Sequence, residues 1–386
     1  MRVSIIGSGV SGICAAIRLK SKGFDVAVYE KNKMPGGKLN TFKLDGFRFD
    51  AGPSLFTMPQ LVDELFELNN LNPRDYFTYK KKKIHCKYFW DDKTKFTAYS
   101  NRKKFLKEVK NKFKVDESTV NNYLKKAKIK YDLTEKIFLR KSLHKLSSFL
   151  NIETIKALFN LNIFQINKTL NEVNSDELKN KYLIQIFNRY ATYNGSSPYK
   201  TPGMMTLIQH LENHFGTFVP EGGMYEITNT LFNLAKQIGV KFYFECNVDE
   251  IILEKKAAKK IRVNNNLIES DIIISNVDIN YTYKKLLKQK FNHRSLKNES
   301  SSSALIFYWG IKGTYDKLDL HNIFFSSNYK EEFDSIFEKK QIFDDPTVYV
   351  NISCKDISSD APKGSENWFV MINSPYNINQ NWDRQI

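Results

Sequence analysis

From Val3 to Glu30 the spacing of apolar residues changes period twice. An unbroken apolar run from Val3 to Ile6 gives way to glycines, and apolar residues then recur at helical intervals from Ile13 to Lys22. Gly23 ends that stretch, and Val26 to Glu30 forms a second run. The pattern predicts strand, turn, helix and strand, one βαβ opening. Residues 31 to 60 are rich in turn formers with a short alternation at Phe47-Arg48-Phe49-Asp50, and Pro59 leads into a predicted helix at Leu61 to Leu68. Strand-like segments with aromatic and Thr content follow from about 75 to 115 (Tyr88-Phe89-Trp90, Lys95 to Tyr99), then helical periodicity to about 185. Between Ile137 and Leu170 the apolar positions Leu143, Leu146, Leu150, Ile155, Leu158, Phe159, Ile163 and Ile166 lie among Lys, Asn and Ser. That face predicts either helices packing on a substrate-domain core or an interfacial amphipathic segment.

The α/β texture returns at 228 to 276, with a predicted helix from Thr228 to Gln237 stopped by Gly239 and strand runs at Lys241 to Glu245, Val248 to Leu253 and Asp271 to Ser275. From Leu305 onward, β-like runs at Leu305 to Trp309, Val348 to Ile352 and Trp368 to Ile372 point to a second sheet. A nucleotide domain assembled from separated segments is the expectation: residues 1–70 with 215–280, and a substrate domain from 71–214 with 281–386.

Composition narrows the class. With 386 residues, 41% apolar and 26% charged, the chain can bury a large core, which excludes global disorder and a small disulfide scaffold. Cys14, Cys86, Cys246 and Cys354 show no metal-ligand spacing and read as buried thiols of a reduced protein, so no metal site is expected. Met1 to Ile6 runs straight into a strand, and no stretch of about 18 apolar residues reads as a span. A cytoplasmic protein is expected. The formal charge of +17, mostly Lys in runs such as Lys80 to Lys83, Lys255-Lys256 and Lys259-Lys260, suits a solvated surface or anionic lipid headgroups. No nucleic-acid-binding pattern accompanies it.

Gly7-Ser8-Gly9-Val10-Ser11-Gly12 fits G-x-G-x-x-G, and its setting gives the match weight: it follows a predicted strand, opens a helix and precedes an acidic residue, Glu30, at the end of the next strand. Gly7 permits the tight turn, Gly9 lets backbone N–H groups approach a pyrophosphate, and Gly12 allows helix and strand to pack closely. The helix N-terminus adds unpaired donors and a positive dipole. Downstream, Met34-Pro35-Gly36-Gly37-Lys38 and Phe49-Asp50-Ala51-Gly52-Pro53-Ser54 let the main chain pass close to a bound cofactor.

With the first motif, these segments resemble the amino-terminal signature of FAD-dependent amine-oxidase-like flavoproteins. The resemblance implies a Rossmann-like, glutathione-reductase-type FAD-binding domain with a discontinuous α+β substrate domain, an α/β protein overall. Further segments resemble the phytoene-desaturase family of carotenoid desaturases: Asp50 to Thr57, Phe218 to Met224, Ser275 to Asp278, His321 to Ser326 and Asp345 to Val350. Arg189 to Tyr199 resembles the members that desaturate hydroxylated carotenoids at the 3,4 bond. The implied FAD-facing residues are Gly7 to Gly12, Glu30, Lys31, Gly36, Gly37, Lys38, Asp50, Gly52, Pro53 and Ser54, with the Val248 backbone against the adenine. Family members also carry a glycine-rich flavin-contacting stretch near their carboxyl terminus. No such run occurs before Ile386, which implies a shortened chain with an incomplete set of flavin contacts.

The implied reaction removes two hydrogens from a C–C bond beside a polyene and passes hydride equivalents to the flavin. A polyene has no ionisable handle, so apolar burial must hold it, at about 25 cal/mol per Å². The 29 Phe and 20 Tyr could line such a channel or simply fill a core. Entry from a membrane face would give the basic surface a purpose, so a peripherally membrane-associated protein is expected. His210, His214 and His321 titrate near neutrality but read as structural, and no catalytic acid or base stands out. Flavin-dependent carotenoid isomerisation, or lipid handling without redox chemistry as in GDP-dissociation inhibitors, are the rival readings.

Overall fold

The computed structural model describes residues 1–138, 161–288, 300–376 and 380–385. The amphipathic positions Leu143, Leu146, Leu150, Ile155, Leu158 and Phe159 lie outside them. The chain forms two compact units: Met1–Lys80 with Phe218–Glu299 and Ile357–Pro362, and Lys81–Thr217 with Ser300–Asp356 and Lys363–Ile386.

In the first unit, strand β1 (Arg2–Ile6), helix α1 (Val10–Lys20) and strand β2 (Asp25–Tyr29) form the βαβ opening. Strand β1 pairs in parallel with β2 on one side and with Ile272–Ser275 on the other, and β2 pairs in parallel with Lys241–Tyr243. Parallel sheets are covered on both faces, which is why Val3, Ile5, Val26 and Val28 on one face and Ser4, Ile6 and Tyr29 on the other are all buried. Helix α1 turns Ile13, Ala16 and Ile17 inward, and the helix Tyr225–Gln237 adds Leu231, Leu234 and Ala235 to the same core. The strands Val248–Glu254, Ala257–Val263 and Asn266–Glu269 form an antiparallel sheet. Antiparallel hairpin strands Asn40–Leu44 and Phe47–Ala51 bring Arg48 to an ion pair with Asp50 at 2.7 Å and another with Asp360 at 3.1 Å. That second pair ties the short Ile357–Pro362 segment to this unit.

In the second unit, the sheet order is Ser303–Lys312, Ser365–Ser374, Val348–Asn351, His321–Phe324, Ile84–Phe89, Lys95–Tyr99. Neighbours are antiparallel except His321–Phe324 with Ile84–Phe89, which run parallel. Helices Arg102–Phe113, Glu117–Phe138 and Lys181–Asn188 pack an aromatic core against this sheet, including Tyr88, Phe96, Phe113, Tyr123, Phe187 and Phe325. Inside lies a buried ion pair: Arg189 Nη2 donates to Glu212 Oε1 at 2.7 Å and to Oε2 at 2.9 Å, while its Nε donates to Tyr88 Oη at 2.9 Å and Tyr193 Oη donates to Glu212 at 2.7 Å. Burial pushes the Glu212 carboxyl up, and the Arg189 charge beside it more than reverses this, holding it at about 2. Because every polar atom of the pair has partners, the desolvation cost is offset.

Glu332 is the opposite case. Fully buried, it accepts hydrogen bonds from Thr347 Oγ1 at 2.6 Å and Asn373 Nδ2 at 3.4 Å, and burial raises its carboxyl from 4.5 to about 7. The folded state therefore binds its proton more tightly than the unfolded chain does. This favours folding below about pH 4.5, and the advantage is lost as pH rises through about 7. Glu332→Gln is expected to abolish that decline, worth on the order of 3 kcal/mol between pH 4.5 and 7, as read by denaturant unfolding of wild type and variant at both ends of the window.

Candidate functional site

The first unit carries a cavity of about 1150 Å³ at the end of β1, somewhat above the roughly 300–1,000 Å³ of ordinary small-molecule sites. Sequence dictates its rim. Gly7 has φ +94°, a left-handed value that a side chain resists, and it ends β1 in a tight turn. A Cβ on Gly12 would lie 2.3 Å from the Gly7 carbonyl oxygen and 2.9 Å from Asn276 Nδ2, so only glycine lets α1 start this close to the strand. Gly9 caps α1 without any side-chain hydrogen bond, and the first turn carries no acidic residue. The unpaired N–H groups of the helix start thus face a space with no internal carboxylate to claim them.

Glu30 follows β2 and is 5% exposed. Its Oε2 accepts from Ser8 N at 2.8 Å and Ser8 Oγ at 2.9 Å, and its Oε1 accepts from Asn32 N at 2.9 Å. Those bonds lock the carboxylate beside the glycine turn. Gly36 N donates to Ser8 O at 2.9 Å, holding the second glycine loop against the first. A Cβ on Gly37 would come within 3.2 Å of Gly9 Cα.

Of the residues singled out in the sequence, Gly7, Gly9, Val10, Ser11, Glu30, Lys31, Gly36, Gly37, Lys38, Pro53 and Val248 line the cavity. Ser8 and Gly12 sit behind the wall, one anchoring Glu30 and the other packing α1. The Asp50 carboxylate is engaged elsewhere: it accepts from the backbone N of Met224 at 2.9 Å and of Tyr225 at 3.0 Å, holding the start of the Tyr225–Gln237 helix. Gly52 has φ +142°, and a Cβ there would meet the Lys38 carbonyl oxygen at 1.8 Å, so it shapes the loop from outside. Ser54 stands between the lining residues Pro53 and Leu55.

Sequence reasoning gave no cofactor-facing role to Met224, Cys246, Asn247, Asn276, Tyr281 and Leu286, all of which line the cavity. Asn276 matters most, since its N donates to Ile6 O at 2.9 Å and its side chain bounds both Gly9 and Gly12. Its signal was its place just past a predicted strand, in the Ser275 to Asp278 segment that resembles the desaturase family. Burial pushes the lining thiol Cys14 up to about 11 and also raises Tyr29, whose ring stacks on Tyr243 at 5.2 Å. Neither ionises near neutrality. His210, His214 and His321 belong to the second unit, where the His210 and His214 rings stack at 4.3 Å.

A helix start bare of acidic residues, a locked carboxylate after the neighbouring strand and glycines pressed backbone to backbone suit a dinucleotide's diphosphate and ribose. Comparison with known proteins supplies the class. The model of the family described as flavin containing amine oxidoreductase matches residues 10–304. The chain belongs to this family and is an FAD-dependent oxidoreductase.

Its relatives narrow the branch. The chain is 48% identical over 383 residues to 1-hydroxycarotenoid 3,4-desaturase of Flavobacterium sp. (strain P99-3), covering 99% of this chain and 78% of the relative. It is 32% identical over 379 residues to 4,4'-diaponeurosporene oxygenase of Staphylococcus aureus (strain bovine RF122 / ET3-1), covering 97% and 76%. An oxidoreductase structure from Methanosarcina mazei superposes with a TM-score of 0.63 at 14% identity, covering 100% of this chain and 81% of that one, a likeness of fold.

Gly12→Ala is expected to lower stability by about 1–3 kcal/mol even without cofactor, because the new methyl meets backbone that cannot move aside. Thermal melting of the flavin-free protein checks this.

Proposed function

We propose that the protein desaturates a carotenoid bearing a hydroxyl group, using FAD held in the first unit. The observation that carries the reading is the cavity wall in which the start of α1, Glu30 and the Gly36-Gly37 loop meet. The N–H groups at Gly9, Val10 and Ser11 would take the diphosphate, and Glu30 with Lys31 beside it the ribose hydroxyls. Gly36, Gly37, Lys38 and Pro53 would pass under the cofactor, and the Val248 backbone would meet the adenine. Ser8, Gly12, Asp50, Gly52 and Ser54 would support this wall from behind. When bound, FAD supplies a two-electron acceptor for hydride leaving a carbon. The 48% identity to a 1-hydroxycarotenoid 3,4-desaturase favours introduction of a C=C bond into a hydroxylated polyene.

In a host that accumulates the hydroxylated carotenoid, the wild-type chain is expected to yield pigment with an added double bond. Ser11→Glu, which places a carboxylate at the start of α1, should abolish that product and weaken FAD binding about 10- to 100-fold in a fluorescence titration. Unchanged pigment with the wild type would refute the desaturase reading.

A substrate that dissolves in lipid also favours work at a membrane surface. Among the described residues no helix is long and apolar enough to cross a membrane, so attachment would be peripheral. The charge of +17 would supply it at about 1 kcal/mol per cation near anionic headgroups. Co-sedimentation with anionic vesicles at low salt, lost at about 0.5 M salt through screening, is the expected result; no binding at low salt would exclude the surface role.

A further inference from the structure

Among the described residues, the fully buried side chains Gln209 and His321 carry polar atoms with no hydrogen-bond partner: Gln209 Oε1 and Nε2, and His321 Nε2. Leaving such groups dry is unfavourable, and an orphan in a native fold calls for a reason. Both residues belong to the second unit.

Strand alternation sets which way His321 faces. Ile323 is opposite Tyr88, and His321, two residues earlier on the same strand, shares that face. Tyr88 Oη accepts from Arg189, which pairs with Glu212, so this face is the one covered by the helical segment carrying Gln209 and Glu212. Those two are three residues apart and both buried, and the Glu212 charge acts on the His321 ring. Ile208, next to Gln209, packs in the same apolar cluster as Ile323 and Tyr88. The local backbone departs from regular α-helix too, with a 3₁₀ turn at Gly203–Ile208 followed by a π-helical turn at Leu211–Phe215. Such irregularities often mark functional positions.

The chemistry is specific. His321 Nδ1 lies 2.7 Å from Tyr349 Oη and 3.3 Å from Asn351 Nδ2. The Asn amide can only donate, so Nδ1 accepts and the proton sits on Nε2. Burial keeps the ring neutral, with its pKa at about 4. His321 therefore offers one free donor, and Gln209 offers a free acceptor and a free donor. The charges of Glu212, Lys82, Asp319 and Arg189 all act on the imidazole, yet none of them takes up its Nε2.

We infer that Gln209 and His321 form the subsite for the hydroxyl group of the polyene, accepting its proton at Gln209 Oε1 and donating to its oxygen from His321 Nε2. The inference rests on the carotenoid reading and names what selects among carotenoids. A site built to bond a hydroxyl rejects the analogue without one, because the orphans then stay dry.

Quenching of tryptophan fluorescence in detergent, with a hydroxylated carotenoid and its unhydroxylated parent as paired probes, tests it. Wild type should bind the hydroxylated probe at least about tenfold more tightly. Gln209→Leu and His321→Phe should each erase most of that ratio while keeping affinity for the parent within about twofold. Gln209→Leu should also melt at the same temperature or higher, since it removes buried groups that lack partners. Equal wild-type affinities, or a ratio undiminished in both variants, would overturn the subsite alone. No binding of either probe would overturn the carotenoid reading and the subsite with it.

Discussion

Where α1 meets β1, the main chain folds back on itself with no room for a side chain: a Cβ at Gly12 would sit 2.3 Å from the Gly7 carbonyl oxygen, and one at Gly9 would sit 3.0 Å from Asn276 Nδ2. That approach fixes where the helix begins relative to the parallel sheet. The position of the unpaired N–H groups follows from it, as does the place of Ser8, whose N and Oγ both hold Glu30. Asn276 closes the arrangement from the far end of the unit's sequence, bonded to Ile6 at the end of β1. The site is thus a consequence of backbone packing, and its polar residues are placed by it.

This explains what could be read in advance. The βαβ opening was legible because glycine spacing and a switch of hydrophobic period record the same local geometry, and the observed Arg2–Ile6, Val10–Lys20 and Asp25–Tyr29 fall within a few residues of the expected spans. The helix at Leu61 and the strands near 95, 248, 272, 348 and 368 were legible for the same local reason. The partner of each strand was not. His321–Phe324 pairs in parallel with Ile84–Phe89 across more than 200 residues, and nothing local encodes that register. Asp50 shows the limit at single residues: its motif pointed toward the cofactor, yet its carboxylate holds the Met224 and Tyr225 amides, because a helix start buried nearby needed an acceptor.

The second unit handles buried polarity in three ways. Arg189 and Glu212 satisfy each other and are completed by Tyr88 and Tyr193, so their charges stay ionised within the core. Glu332 has neutral partners, and burial answers by favouring its protonated form. The Gln209 side-chain amide and His321 Nε2 have neither charge nor partner to resolve their unmet hydrogen-bonding capacity. Charge pairing and proton uptake are solutions internal to the fold, whereas an uncharged orphan can be relieved only from outside it.

That distinction bears on how a protein can select among polyenes. Apolar area discriminates weakly, because one more methylene in a greasy pocket changes affinity by only about 1–3 kcal/mol. It cannot set register along a chain whose repeating units look alike. A single hydroxyl at one end can do both, provided the protein keeps a matching donor and acceptor dry until it arrives. The helical segment 203–215, wound first too tightly and then too loosely for a regular α-helix, is where the sequence gives up local regularity. The same stretch buries both Gln209 and Glu212, and the Glu212 charge reaches the His321 ring. Irregular backbone, unmet hydrogen bonds and a neutral imidazole then have one common cause, a core shaped around a ligand's polar end.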